Sequence, residues 1–257
     1  MKISKKYWYT ELVWELARTD FLLRYHGSFL GFFWSLLKPL AIFLVMYFVF
    51  SVFMRWDIPH YQLFLLLGTL LWNFFSEATT VGLFALQAKA GIIKKVYFPR
   101  ILIVLASTIS SLLGLLCNML IFTVAAFFSG IPIFFPLIIL APLYFLLLMS
   151  LIFGISLILN AIFLKFQDIQ QIWEVFLQVA FWTTPIIYPI SSIPQSYQWI
   201  IYINPMTLII KNLRDILIYG NTPTLLEISS LSIFTVLCVI IGLFLFHKVS
   251  PYIAEKL

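Results

Sequence analysis

The chain has 257 residues, of which 63% are hydrophobic and only 10% charged, with a mean hydropathy of +1.05 and a net charge of +6. Soluble domains carry about 25% charged residues, so an ordinary water-soluble enzyme is excluded. The surplus of Lys and Arg is not read as a nucleic-acid surface, because basic residues in so apolar a chain mark cytoplasmic loops. A bilayer core takes about 20 helical residues per crossing. The length therefore accommodates about six crossings and leaves no room for a soluble domain of ordinary size.

Residues 2–24 predict an amphipathic helix. Glu11, Glu15 and Arg18 share one face; Tyr9, Val13 and Leu16, with Leu12 beside them, share another. Trp8 and Trp14 suit the headgroup region, and Lys2, Lys5 and Lys6 suit anionic lipid. Residues 1–28 are thus expected to lie on the inner membrane surface as an interfacial helix, although a helix packed on a partner would give the same pattern. Glu11, Glu15, Arg18, Asp20 and Arg24 interrupt any apolar core in this region, so no cleavable signal sequence is expected.

The membrane domain is expected over 29–247. Its first span covers about 29–54, with Lys38 near the cytoplasmic end, where its stem can snorkel. A short outer loop with Arg55, Asp57, Pro59 and His60 leads to the second span, about 61–86, and then to a basic segment from Gln87 to Arg100. Between Ile101 and Leu164 there is no Asp, Glu, Lys or Arg. That run predicts a third span at 101–128 and a fourth at 135–164, turning at Gly130, Pro132 and Pro136.

A polar loop from Lys165 to Gln171 precedes a short fifth span, about 172–188. Residues 186 to 222 contain Pro189, Pro194, Pro205 and Gly220 and too few contiguous apolar residues for a crossing, so they are read as short re-entrant helices at the outer interface. The sixth span is about 226–246, followed by a tail at 248–257. The expected fold is all-α, with six transmembrane helices. An N-terminus inside puts every Lys and Arg except Arg55, Lys211 and Arg214 on the inner side, so both termini are expected in the cytoplasm. Cys117 and Cys238 fall inside apolar runs and read as packing thiols.

No HExxH motif, Cys/His cluster or nucleophile elbow is present, and His26, His60 and His247 lie far apart. The lack of a Walker A pattern means that this chain does not hydrolyse ATP by the P-loop route on its own. The informative groups are polar residues inside spans. Glu77 shares a face with Asn73 and Thr80, with Gln87 further along. A carboxylate in hydrocarbon must face water or a partner, so this stripe lines either a pathway or a helix-packing seam.

A second stripe, Gln167, Gln171, Glu174 and Gln178, runs toward Trp182 and gives the fifth span a wet face suited to lining a pore. Ser107, Ser111, Gly114 and Asn118 on the third span read as close helix packing. Aromatics reach 18%; such rings stack on sugars, but they also belt membrane interfaces, so composition alone does not select a sugar path. The segment from Lys89 to Arg100 sets charge on both sides of an apolar patch of Ile92, Ile93, Val96, Tyr97 and Phe98. That arrangement fits a protein partner, the alternative being a lipid-bound basic loop.

Arg24-Tyr-His-Gly-Ser-Phe-Leu-Gly-Phe-Phe-Trp34 followed by Lys38-Pro39-Leu40 resembles the start of the first span in type-2 ATP-binding-cassette export permeases. Ile93-Lys-Lys-Val-Tyr-Phe-Pro-Arg100 resembles their second-to-third-span loop. Asp168, Thr184-Pro-Ile-Ile-Tyr188, Asn204-Pro205 and Arg214 continue the pattern in order. The match covers almost the whole chain and is most similar to the subfamily that exports lipid-linked polysaccharides: O-antigen, capsule and teichoic acid.

The resemblance implies a six-span permease that pairs with itself above two separate ATPase subunits. ATP and Mg would bind to those partners, and no cofactor to this chain. It places the ATPase interface at Lys89, Ile92, Ile93, Lys94, Lys95, Tyr97, Phe98, Pro99, Arg100 and Asp168. The translocation path is expected at Trp34, Asn73, Glu77, Gln171, Glu174, Gln178 and Trp182. Two other readings remain: a type-2 exporter of a drug or small lipid, and an intramembrane lipid-modifying enzyme. The enzyme would need clustered acids, His or Arg at one membrane face, whereas the ten acids here are scattered.

Overall fold

Hydrocarbon offers no partner to a backbone N–H or C=O, and a helix pairs both within one segment. The computed structural model describes residues 5–25, 31, 33–53, 58–132, 134 and 137–252, and every regular element among them is helical. Helix α1 covers Lys5–Tyr25 and α2 covers Phe33–Tyr47, which runs on into a π-helical turn, Phe48–Phe53. Helix α3 (Tyr61–Ala88), the short α4 (Ala90–Ile93) and α5 (Ile101–Phe128) follow. Then come α6 (Ala141–Phe163), α7 (Ile169–Thr183), α8 (Gln195–Tyr202), α9 (Pro205–Arg214) and α10 (Leu225–Val249). The outer-loop residues Arg55 and Asp57, the motif positions 26–30, Pro136 and the tail at 253–257 lie outside the described residues.

Among the described residues four helical segments are long and apolar enough to cross a bilayer: Tyr61–Ala88, Ile101–Phe128, Leu137–Phe163 and Leu225–Val249. The third of these begins as a 3-10 turn, Leu137–Leu140, before α6 proper. The other two expected spans correspond to shorter helices: the fifth is read as short from the sequence, and positions 29, 30, 32 and 54 of the first lie outside the described residues. Helices α2 and α7 have 15 residues each, or about 22 Å. Pro39 inside α2 and the change to π geometry at Phe48 limit the first. The Thr184–Pro185 pair ends the second, because the residue before a proline is pushed out of helical geometry.

Helix α3 is the hub. Within its most apolar stretch 72% of residues are buried, against 17% for α5 and for α10. It packs on α5, α6, α2, α7 and α9, with Leu63, Leu67, Leu71 and Trp72 inside the main core. Helix α1 does not stand apart from the bundle: Val13, Leu16 and Ala17 bury against Ala106 of α5, with Leu102, Leu105 and Ile109 around them. Val13 and Leu16 belong to the apolar face that the sequence pattern groups together, Ala17 adds to it, and Glu11, Glu15 and Arg18 point outward.

The closest helix pair is α6 with α10, and it depends on glycine. A Cβ on Gly154 would come within 2.8 Å of the Val239 backbone nitrogen, and one on Gly242 within 2.6 Å of the Gly154 carbonyl oxygen. Van der Waals contact between small residues is the main attraction available to helices in lipid. At Gly220 a φ of 69° and the Phe134 ring, 2.5 Å from any added Cβ, together exclude a side chain.

Gly154→Leu should force α6 and α10 apart and destabilise the fold by about 1–3 kcal/mol, read as a lowered thermal midpoint in detergent. Gly114→Ala, where nothing lies within 4 Å of the new methyl group, should leave the midpoint unchanged. Equal stability of the two variants would contradict this packing.

Candidate functional site

The basic segment after α3 divides into two faces. Phe98 and Ile93 turn inward and pack with Ala85, Leu86, Ile103 and Phe246. Lys89 pairs with Asp20 of α1, and the Arg100 guanidinium donates to the Ser250 carbonyl at the end of α10. The outward face carries Ile92, Lys94, Lys95, Val96, Tyr97 and Pro99, with Tyr97 97% exposed. The apolar patch legible in the sequence is thus two sets, one anchoring the loop and one presented. Asp168 is exposed at the start of α7. Beside the loop a cavity of about 550 Å³ opens, lined by Tyr9, Tyr97, Pro99, Arg100 and His247 among others.

Three of the expected path residues meet in one place. Trp34, Asn73 and Glu77 line a cavity of about 440 Å³ between α2 and α3, together with Arg24, Lys38 and Thr80. Arg24, in the last turn of α1, donates to the Glu77 carboxylate at 2.6 Å. The Thr80 hydroxyl is directed back to the Ser76 carbonyl, 2.8 Å away. A smaller recess adjoins the cavity, where Ser111 and Asn118 of α5 approach Asn73 and Glu77 and the Asn118 amide oxygen is buried without a hydrogen-bond partner. Ser107 and Ser111 are buried, with their hydroxyls bonded to the Val104 and Ser107 carbonyls, as suits a packing stripe.

The second stripe lies elsewhere. Gln171, Glu174, Gln178 and Trp182 are all exposed on the outer face of α7, and α7 adds no side chain to the α2–α3 cavity. Ile172, Val175, Phe176 and Val179 are exposed as well. The helix is held from behind by Leu177 and Ala180, by a hydrogen bond from the Trp173 indole to the Thr79 hydroxyl at 3.2 Å, and by Phe181 edge-on to Trp72. One chain alone therefore leaves this face uncovered. Among the described residues no group of three His, Cys, Asp or Glu side chains could hold a metal ion.

The far end of the fold contains a polar knot whose roles could not be read from spacing. Arg214 is 4% exposed. Its guanidinium donates to the carbonyls of Phe64 (2.8 and 3.0 Å), Pro185 (2.6 Å) and Ile186 (2.7 Å) and lies over the Phe64 ring. Burial pulls its pKa down to about 9, which leaves it cationic at neutral pH.

Asn204 caps α9 through the Met206 amide and donates to the Thr184 hydroxyl at 2.8 Å, while the Tyr61 hydroxyl donates to the Ile187 carbonyl. The unwound Thr184–Ile187 stretch is thereby clasped to α3 and α9. The only available signal was the order of the Thr-Pro-Ile-Ile-Tyr, Asn-Pro and Arg pieces along the chain. Nearby, Lys211 bridges Asp215 (3.1 Å) and Glu227 (2.7 Å). Burial opposes its charge, but those two carboxylates outweigh burial and raise its pKa.

Arg214→Ala should leave the Pro185 and Ile186 carbonyls without a donor and destabilise the protein by about 3 kcal/mol. Arg214→Lys should fall between wild type and alanine, since one ammonium cannot reach the Phe64, Pro185 and Ile186 carbonyls with fork geometry. Thermal midpoints in detergent read both, and an unshifted Arg214→Ala would refute the clasp.

The family described as ABC-2 type transporter matches residues 11–218. An O-antigen export system permease protein from Klebsiella pneumoniae is 32% identical over 261 aligned residues, covering 100% of both chains. One from Myxococcus xanthus is 28% identical over 86% of this chain and 85% of its own length. A polysialic acid transport protein from Escherichia coli is 26% identical over 86% of this chain and 87% of its own. An all-helical chain with four crossing-length apolar helices, matched along most of its length, belongs to the ABC-2 type transporter family.

Proposed function

We propose that this chain is the permease subunit of an ATP-driven exporter that carries a lipid-linked polysaccharide outward across the inner membrane. The carrying observation is the match to O-antigen export permeases along the full length of this chain. The chain has no P-loop, so ATP and Mg belong to a separate nucleotide-binding subunit, two copies of which sit beneath two copies of this chain. In this arrangement α2 and α7 complete a six-helix crossing and α1 lies at the inner interface. Both termini are cytoplasmic, and α8 and α9 are re-entrant elements near the outer exit.

The exposed set Ile92, Lys94, Lys95, Val96, Tyr97 and Pro99, with Asp168 on the neighbouring loop, is the docking face for the ATPase. Its backing by Phe98 and Ile93 and its tethers to α1 and α10 make the segment stiff. Closure of the ATPase pair can then be passed upward as a rigid displacement. The uncovered face of α7, polar at Gln171, Glu174 and Gln178 and aromatic at Trp182, faces the conduit between the two copies. Polar groups there meet water and sugar hydroxyls, and the exposed rings offer stacking surfaces.

Co-expression with candidate ATPases followed by affinity capture tests the partner, and mass spectrometry of the co-purified glycolipid tests the cargo. Retention of a drug-like molecule or a small lipid in place of glycolipid would favour a different type-2 export substrate. Tyr97→Ala should keep the wild-type thermal midpoint but lower ATPase capture by about tenfold, the loss of one exposed aromatic anchor. Phe98→Ala should lower the midpoint, because it empties a core site worth about 3–5 kcal/mol. Full capture by Tyr97→Ala would sink the docking assignment.

A further inference from the structure

The cavity between α2 and α3 holds an unbalanced positive charge. Its polar wall is Arg24, Lys38, Asn73, Ser76, Glu77 and Thr80. Glu77 is taken up by Arg24. Among the described residues Lys38 has no ion-pair partner. Glu77 lies about 16 Å along the axis of α3 from its end at Ala88, which leads into the basic segment, and inside a helix long and apolar enough to cross a bilayer. Ionisable groups at such depth, beside a cavity, mark a binding site for something charged.

The rest of the wall says what kind. Trp34, Ile42 and Val81 are apolar, and α2 continues outward with Leu37, Leu44 and Val45 exposed along it. A soluble anion has no use for that lane, whereas an acyl or prenyl chain does. Glu77 meets Arg24 through a carboxylate oxygen, the contact that a phosphate oxygen would make, and phosphate offers more oxygens and more charge to the same guanidinium.

We propose that this cavity seats the phosphate headgroup of the lipid that carries the cargo. Lys38 is the standing cation, and Arg24 is a second one that Glu77 occupies until the headgroup displaces it. The inference deepens the exporter reading and rests on it. Glu77 is then a competitor for the site, so its neutral variant strengthens binding.

The test uses the full chain in phosphatidylcholine nanodiscs, titrated with a polyprenyl diphosphate and followed by native mass spectrometry. Lys38→Ala should bind about tenfold more weakly, as loss of one charge-assisted contact implies. Lys38→Arg should bind nearly as wild type, and the size-neutral Glu77→Gln several-fold more tightly. Wild-type binding by both Lys38→Ala and Glu77→Gln would overturn the proposal. So would weaker binding by Glu77→Gln with Lys38→Ala unaffected, since the ion pair would then be only a strut for α1.

Equal binding of inorganic diphosphate would make this a soluble-anion site, and equal binding of phosphatidylglycerol a general anionic-lipid site; either result overturns it. Export is scored separately, by restoring surface polysaccharide to cells in which the gene is disrupted. Failure of the wild-type chain there defeats the exporter reading. Full restoration by Lys38→Ala defeats only the headgroup site.

Discussion

A polar group inside a bilayer must find its partner within the protein, and α3 is where most of those partners meet. Four different helices are joined to it by polar contacts. Arg24 of α1 reaches Glu77, Asn160 of α6 donates to the Gly82 carbonyl, Trp173 of α7 reaches Thr79, and Arg214 of α9 holds the Phe64 carbonyl. In water each contact would exchange against solvent and add little net stability. In hydrocarbon the alternative is an unsatisfied group, so each contact specifies where a helix sits as well as how firmly.

These contacts are spread along α3 from one end to the other. Phe64 lies in its first turn and Glu77 well past its middle, and Lys89 just beyond its end holds Asp20. The segment after α3 is therefore tied to α1 directly and to α7 and α9 through one helix. The central helix thus has polar partners in its first turn and again from Glu77 to its end. Most of the apolar surface of α7 points away from α3, with Ile172, Val175, Phe176 and Val179 exposed.

The segment from Lys89 to Arg100 shows why a local pattern can suggest a surface without assigning its residues. Its apolar positions read as one patch in the sequence. In the fold Ile93 and Phe98 anchor into the base formed by α3, α5 and α10, and Ile92, Val96 and Tyr97 are presented. The short α4 and the irregular stretch before Pro99 turn Ile93 and Phe98 inward and leave Ile92, Val96 and Tyr97 outward. The buried pair fixes the loop on the bundle while the other apolar side chains stay accessible.

The sequence by itself determined the solvent. The charge-free run from Ile101 to Leu164 and the spacing of Val13 and Leu16 specify a helical membrane protein, because hydropathy and helical period are local properties of the chain. A helix long and apolar enough to cross a bilayer covers Ile101–Phe128. Only the tertiary structure decided that Glu77 is answered by Arg24 across 53 positions of chain, and that Arg214 clasps the unwound stretch after α7. It also decided that Gly154 and Gly242 set the closest helix crossing. A buried charge chooses its partner by distance in space, and no period along the sequence carries that distance.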